Sequence, residues 1–83
     1  MDIFREKIDS VDEKIFDLLL ERYLIVEDIG KYKKNNKLDI LDSKRENKIY
    51  EKIEDFYLLD QHIKYLKNIY KTVMNESKRI QKI

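Results

Sequence analysis

One apolar stripe runs through the first third of the chain. Ile8, Val11, Ile15, Leu18, Ile25 and Ile29 recur at mostly three- and four-residue intervals, and Leu19 and Val26 widen the stripe. This spacing places them on one face of an α-helix. Proline is absent and glycine occurs once, at Gly30, so few positions can interrupt the helix. The stripe predicts one helix from Asp2 to Asn35-Asn36. A break near Gly30 is the alternative, because glycine inside a helix costs about 1 kcal/mol relative to alanine. A helix of about 34 residues is roughly 50 Å long, whereas a compact globule of this size has a radius of gyration near ~12 Å. Such a helix overhangs any core that its own chain can build, and an apolar overhang calls for a second copy of the chain.

The remaining residues divide into two shorter helices. After a connection from Lys37 to Asp42, the second helix begins near Ser43 and carries Ile49, Ile53 and Phe56 on one face. Ser43-Lys44-Arg45-Glu46 fits a capping box. Asp60 is placed to cap a third helix that runs to about Lys82, with Ile63, Leu66, Ile69, Tyr70, Val73 and Ile80 on its apolar face. The expected architecture is a single all-α domain over residues 1–83, with a long first, a short second and a medium third helix, built into a dimer.

Composition removes several functional classes. There is no cysteine and only one histidine, His62, so neither disulfides nor a thiolate or histidine metal site is expected. Lysine and arginine total 18 against 17 acidic residues, without the basic excess of a general nucleic-acid binder. No apolar run approaches the ~20 residues of a membrane span. The start, Met1-Asp2-Ile3-Phe4-Arg5, lacks a signal-peptide layout, so a soluble cytoplasmic protein of one domain is expected.

Polar residues interrupt the apolar faces of all three helices. Arg22 shares its heptad position with Ile8, Ile15 and Ile29, and Lys33 lies four residues beyond Ile29. Glu46 precedes Ile49 by three, Ser77 follows Val73 by four, and Gln81 follows Ser77 by four. Each has an ordinary structural account. Arg22 could pair with Glu46, Lys33 could reach solvent from a helix end, Glu46 could serve only the cap, and Ser77 and Gln81 could sit in a fraying last turn. Together they describe how a helical bundle builds a polar ligand site. Only four of the cationic residues are arginine, namely Arg5, Arg22, Arg45 and Arg79, against 14 lysines. Where lysine is the default cation, arginine points to bidentate binding of carboxylate or phosphate. The residues themselves thus specify a small anionic ligand carrying a hydroxyl, and leave it unnamed.

Ordered blocks along nearly the whole chain resemble the all-helical class of chorismate mutases. They are Phe4-Arg5-Glu6-Lys7-Ile8, Asp12-Glu13-Lys14, Leu18-Leu19-Leu20-Glu21-Arg22, Ile29-Gly30-Lys31-Tyr32-Lys33, Asp42-Ser43-Lys44-Arg45-Glu46, and Ser77 with Gln81. The connection before the third helix is about one residue shorter than the family pattern and lacks glycine. The resemblance implies an intertwined homodimer whose long first helices pair, with two sites each completed by the partner. It further implies that Arg5 reaches into the partner's site, while Arg22, Lys33, Asp42, Arg45, Glu46, Ser77 and Gln81 serve the home site. By the same resemblance, Arg5 and Arg22 bind the substrate's two carboxylates. Lys33 and Gln81 hydrogen-bond its ether oxygen. Glu46, with the Asp42 backbone, holds the ring hydroxyl, and Arg45 and Ser77 line the ring-carboxylate side.

The implied reaction is the pericyclic rearrangement of chorismate to prephenate, on the way to phenylalanine and tyrosine. It needs no nucleophile, general base, metal or cofactor, which accords with a chain that has no cysteine and one histidine. Catalysis would come from holding the reactive conformer and from fixed positive charge beside the ether oxygen. The competing expectations are an isochorismate-pyruvate lyase and a non-enzymatic helical dimerisation module.

Overall fold

A computed structural model describes residues 1–82. It contains α1 (Asp2–Asn35), α2 (Ser43–Phe56) and α3 (Asp60–Gln81), and no strand among the described residues. The all-α class and the three helices are those expected from the sequence. α1 passes through Gly30 without a break.

The end of α1 is set by a left-handed residue. Lys37 has φ 54. Its N–H donates to Lys34 O at 3.3 Å, and the Leu38 N–H donates to Lys33 O at 2.8 Å. These two bonds make a Schellman stop, with lysine where glycine is usual. The chain then turns back toward α2. Two expected caps differ from the structure. The cap of α2 is Asp42, whose carboxylate accepts the Arg45 N–H at 2.9 Å, so the capping box from Ser43 to Glu46 does not form. Asp reaches the third residue of the helix as well as Ser does, and it sits one position earlier. Asp60 lies in the first turn of α3, preceded by Leu59 without a side-chain cap. Its charge there still suits the positive end of the helix dipole.

α3 is the central element. It packs on α1 and on α2, while α1 and α2 do not pack against each other. Among the described residues, the buried large apolar side chains are Val26, Ile53 and Met74, one from each helix. Met74 was not on the apolar face read from the sequence. Phe56, which was, ends α2 and is exposed. The molecule measures 51 × 26 × 15 Å, with a radius of gyration of 15.5 Å, well beyond a compact globule of this length. Ile3, Phe4, Ile8, Val11, Ile15 and Leu18 are exposed along the overhanging half of α1. A single chain thus leaves this stretch uncovered.

Candidate active site

The gap between α1 and α2, floored by α3, is a cleft of about 410 Å³, within the range of small-molecule sites. Ile25, Val26, Ile29, Ile49 and Met74 supply apolar wall. The polar lining draws on every element: Arg22 and Lys33 from α1, Asp42 from the connection, Arg45 and Glu46 from α2, and Ser77 and Gln81 from α3. All seven home-site residues named from the sequence therefore meet in one cleft.

Their contacts show how most of them are held. The Arg22 guanidinium donates to the Ser77 hydroxyl, which in turn donates to Val73 O at 2.8 Å. Ser77 is buried, so this pair ties α1 to α3 and fixes the guanidinium at the cleft. Arg22 therefore does not pair with Glu46, the structural alternative raised by the sequence. Lys33 Nζ donates to the Ile40 carbonyl at 3.0 Å. The Schellman turn at Lys37 brings that carbonyl back over the last turn of α1, so Lys33 is held in the cleft instead of extending to solvent. Asp42 spends its carboxylate on the α2 cap, and its carbonyl accepts the Glu46 N–H at 3.0 Å.

Gln81 donates from Nε2 to Ser77 O at 3.2 Å, while its buried Oε1 has no hydrogen-bond partner among the described residues. An unpaired buried acceptor is costly, and such groups concentrate where a ligand or ordered water completes the bonding.

Arg5 lies apart from the seven. It is exposed near the start of α1, 17 residues before Arg22, a rise of roughly 25 Å along a helix. No arginine side chain spans that distance, so Arg5 cannot reach the cleft of its own chain.

The cleft also holds a residue that the sequence reading missed. Lys78 lines it, with Nζ 3.1 Å from Glu46 Oε1. The signal was present, since Lys78 is four residues after the buried Met74 and three before Gln81. The lining thus carries four cations, Arg22, Lys33, Arg45 and Lys78, against the carboxylates of Asp42 and Glu46. That excess of positive charge suits an anion. Among the described residues, no group of three or more His, Asp or Glu side chains is arranged to hold a metal ion, and no helix is long and apolar enough to cross a membrane.

The chain is similar to known proteins both in sequence and in structure. Residues 4–82 match the family described as chorismate mutase type II. A chorismate mutase of Methanocaldococcus jannaschii is 31% identical over 81 residues, covering 94% of this chain and 80% of that protein. A conserved hypothetical protein from Pyrococcus furiosus has a similar structure, with a TM-score of 0.79 and 31% identity, covering 96% of this chain and 92% of that one.

Proposed function

The chain belongs to the chorismate mutase type II family and is an isomerase acting on chorismate, and we propose that it does so in the three-helix cleft, as an intertwined homodimer with two shared sites. The observation that carries this reading is the convergence of Arg22, Lys33, Asp42, Arg45, Glu46, Ser77 and Gln81 on one cleft. The uncovered stripe on α1 supports the dimer. Pairing of two α1 helices would bury Ile8, Val11 and Ile15, each worth about 1.5–3 kcal/mol when fully buried. It would also carry Arg5, which cannot reach its own cleft, toward that of the partner. A place in the cytoplasm, within the shikimate route to aromatic amino acids, belongs to the same proposal.

The substrate carries two carboxylates, a ring hydroxyl and an ether link between ring and enolpyruvyl side chain. In the reaction the ether C–O bond breaks as a C–C bond forms within the same molecule, so no proton or group is exchanged with the protein. The chain has two tasks. One is to fold the side chain over the ring, which the arginines do by anchoring the carboxylates: Arg22 and the partner's Arg5 clamp the two, and Arg45 and Ser77 flank the ring carboxylate. Holding a reactive conformer in this way can account for much of a barrier reduction. The other task is to meet the negative charge that develops on the ether oxygen. Lys33 supplies a fixed ammonium there and the Gln81 amide a neutral donor, both positioned before the reaction begins. Glu46 accepts the ring hydroxyl and sets the ring's orientation, with Asp42 beside it.

The direct test is to mix purified protein with chorismate and follow both loss of substrate absorbance and formation of prephenate, with isochorismate as a parallel substrate. Sedimentation at several protein concentrations measures the oligomeric state. A monomer that turns chorismate over at the full rate would remove the shared site.

A further inference from the structure

The assignment of Glu46 leaves an electrostatic difficulty. A carboxylate that accepts the ring hydroxyl lies inside a site built for a dianion, where like charges repel and water is partly excluded. Lys78 meets that difficulty. Its Nζ is 3.1 Å from Glu46 Oε1, and the two side chains are only 30% and 28% exposed. Both line the cleft, so the pair lies within the volume a ligand would occupy. The salt bridge also joins α2 to α3, the walls that carry the hydroxyl acceptor and Gln81. An ammonium on Oε1 fixes the carboxylate plane and leaves Oε2 to accept from a hydroxyl.

We propose that Lys78 is a positioning residue for hydroxyl recognition, holding and neutralising the Glu46 carboxylate so that it can bind the ring hydroxyl of a dianionic substrate. This rests on the reading of Glu46 given above. Lys78 acts through Glu46 and does not need to touch the reacting atoms. An alternative role for a lysine in the last turn of α3 is to satisfy the helix dipole. That role would be indifferent to the substrate's hydroxyl, which makes the two separable.

The experiment compares the wild type, Lys78→Met, Lys78→Arg, Glu46→Gln and the Lys78→Met/Glu46→Gln double variant, on chorismate and on its analogue lacking the ring hydroxyl. Methionine keeps the apolar stem and removes the charge, and far-UV circular dichroism and sedimentation check each fold. Lys78→Met is expected to lower kcat/KM on chorismate by about 10-fold, the scale of one charge-assisted hydrogen bond, with most of the change in KM. Lys78→Arg should recover most of the loss. On the deoxy analogue Lys78→Met should match the wild type, and in the Glu46→Gln background it should add less than about 2-fold, as coupled residues do. An equal loss on both substrates, or in both backgrounds, overturns the role of Lys78 while leaving Glu46 intact. If Glu46→Gln itself keeps wild-type kcat/KM on chorismate, the hydroxyl assignment fails first and the proposal for Lys78 falls with it.

Discussion

A Cβ built on Gly30 would lie 3.0 Å from the Cα of Gln81 and 3.3 Å from its carbonyl oxygen. The only glycine in the chain thus lies where α1 approaches the backbone of α3, beside a residue assigned to the ether oxygen. Alanine at position 30 would gain about 1 kcal/mol of helix propensity but would press on backbone instead of on the end of a flexible side chain. The last turn of α3 would have to give by a few tenths of an ångström. Gly30→Ala is therefore expected to change the melting temperature little and to lower kcat by about 10-fold, since small misplacements of donors are expensive in catalysis. Parallel thermal unfolding and steady-state kinetics check this, and unchanged kcat would show that the contact does not set the position of Gln81.

Lys33 is the cation assigned to charge developing on the ether oxygen, and its Nζ is held by the Ile40 carbonyl at 3.0 Å. Removing one preorganised donor of this kind costs about 10²–10³-fold in kcat. Lys33→Ala should show such a loss in kcat with the secondary structure and the oligomeric state unchanged. Near-normal turnover in a folded Lys33→Ala protein would sink the electrostatic assignment.

The sequence made the long helix and the inward polar residues legible, because both are matters of period. Arg22 in the heptad of Ile8, Ile15 and Ile29 is an anomaly that needs no coordinates to see, and the same is true of Glu46 ahead of Ile49 and Ile53. The hydrogen-bond partners were not legible, because they depend on how the helices cross. Period alone made an Arg22–Glu46 pair reasonable. In the structure α1 does not pack on α2, so Arg22 turns to Ser77 on α3, and Glu46 takes Lys78. Lys78 itself was missed because it adjoins Ser77 along the chain, and a single apolar row drawn through Val73 and Ile80 leaves it out. A wider stripe that includes Met74 would have captured it. The caps failed at the scale of one residue, where Asp42 and Ser43 are chemically equivalent choices.

Lys37 holds the left-handed turn that ends α1, with φ 54. That conformation costs a residue with a Cβ about 1–2 kcal/mol, and glycine nothing of the kind. Glycine loses part of this advantage through its greater freedom in the unfolded chain, about 0.5–1 kcal/mol. Lys37→Gly is expected to stabilise the protein by about 0.5–1 kcal/mol, raising the melting temperature by a few degrees at fixed protein concentration, with kcat unchanged. A lower melting temperature would mean that the Lys37 side chain contributes a contact beyond its backbone.

Gln81 lines the cleft with an amide, which donates at any pH, whereas a carboxylic acid donates only when protonated. The wild type should therefore show no requirement for acid that is traceable to this position. In Gln81→Glu the new side chain, with an ordinary pKa of about 4.3, would place an ionised carboxylate beside the ether oxygen at neutral pH. Its activity should be low at pH 7 and should rise as the pH falls toward that value. The pH–rate profiles of the two proteins measure this, and superimposable profiles would remove Gln81 from the ether-oxygen role.

Arg5 lies too far along α1 to reach the cleft that holds Arg22, so contribution from a partner makes a quantitative prediction. Arg5→Ala and Arg22→Ala homodimers should each be nearly inactive, because every site lacks one carboxylate clamp. When the two variants are mixed and allowed to exchange, each hybrid dimer has one site missing both arginines and one site with both intact. At equal amounts and random pairing, half the dimers are hybrids, so about a quarter of the wild-type activity should return. Activity should grow with the rate of chain exchange, followed by mass or by fluorescence on labelled chains. No recovery after proven exchange would mean that Arg5 does not complete the partner's site, and the second carboxylate would then have to be held within one chain, with Arg45 a candidate in the cleft.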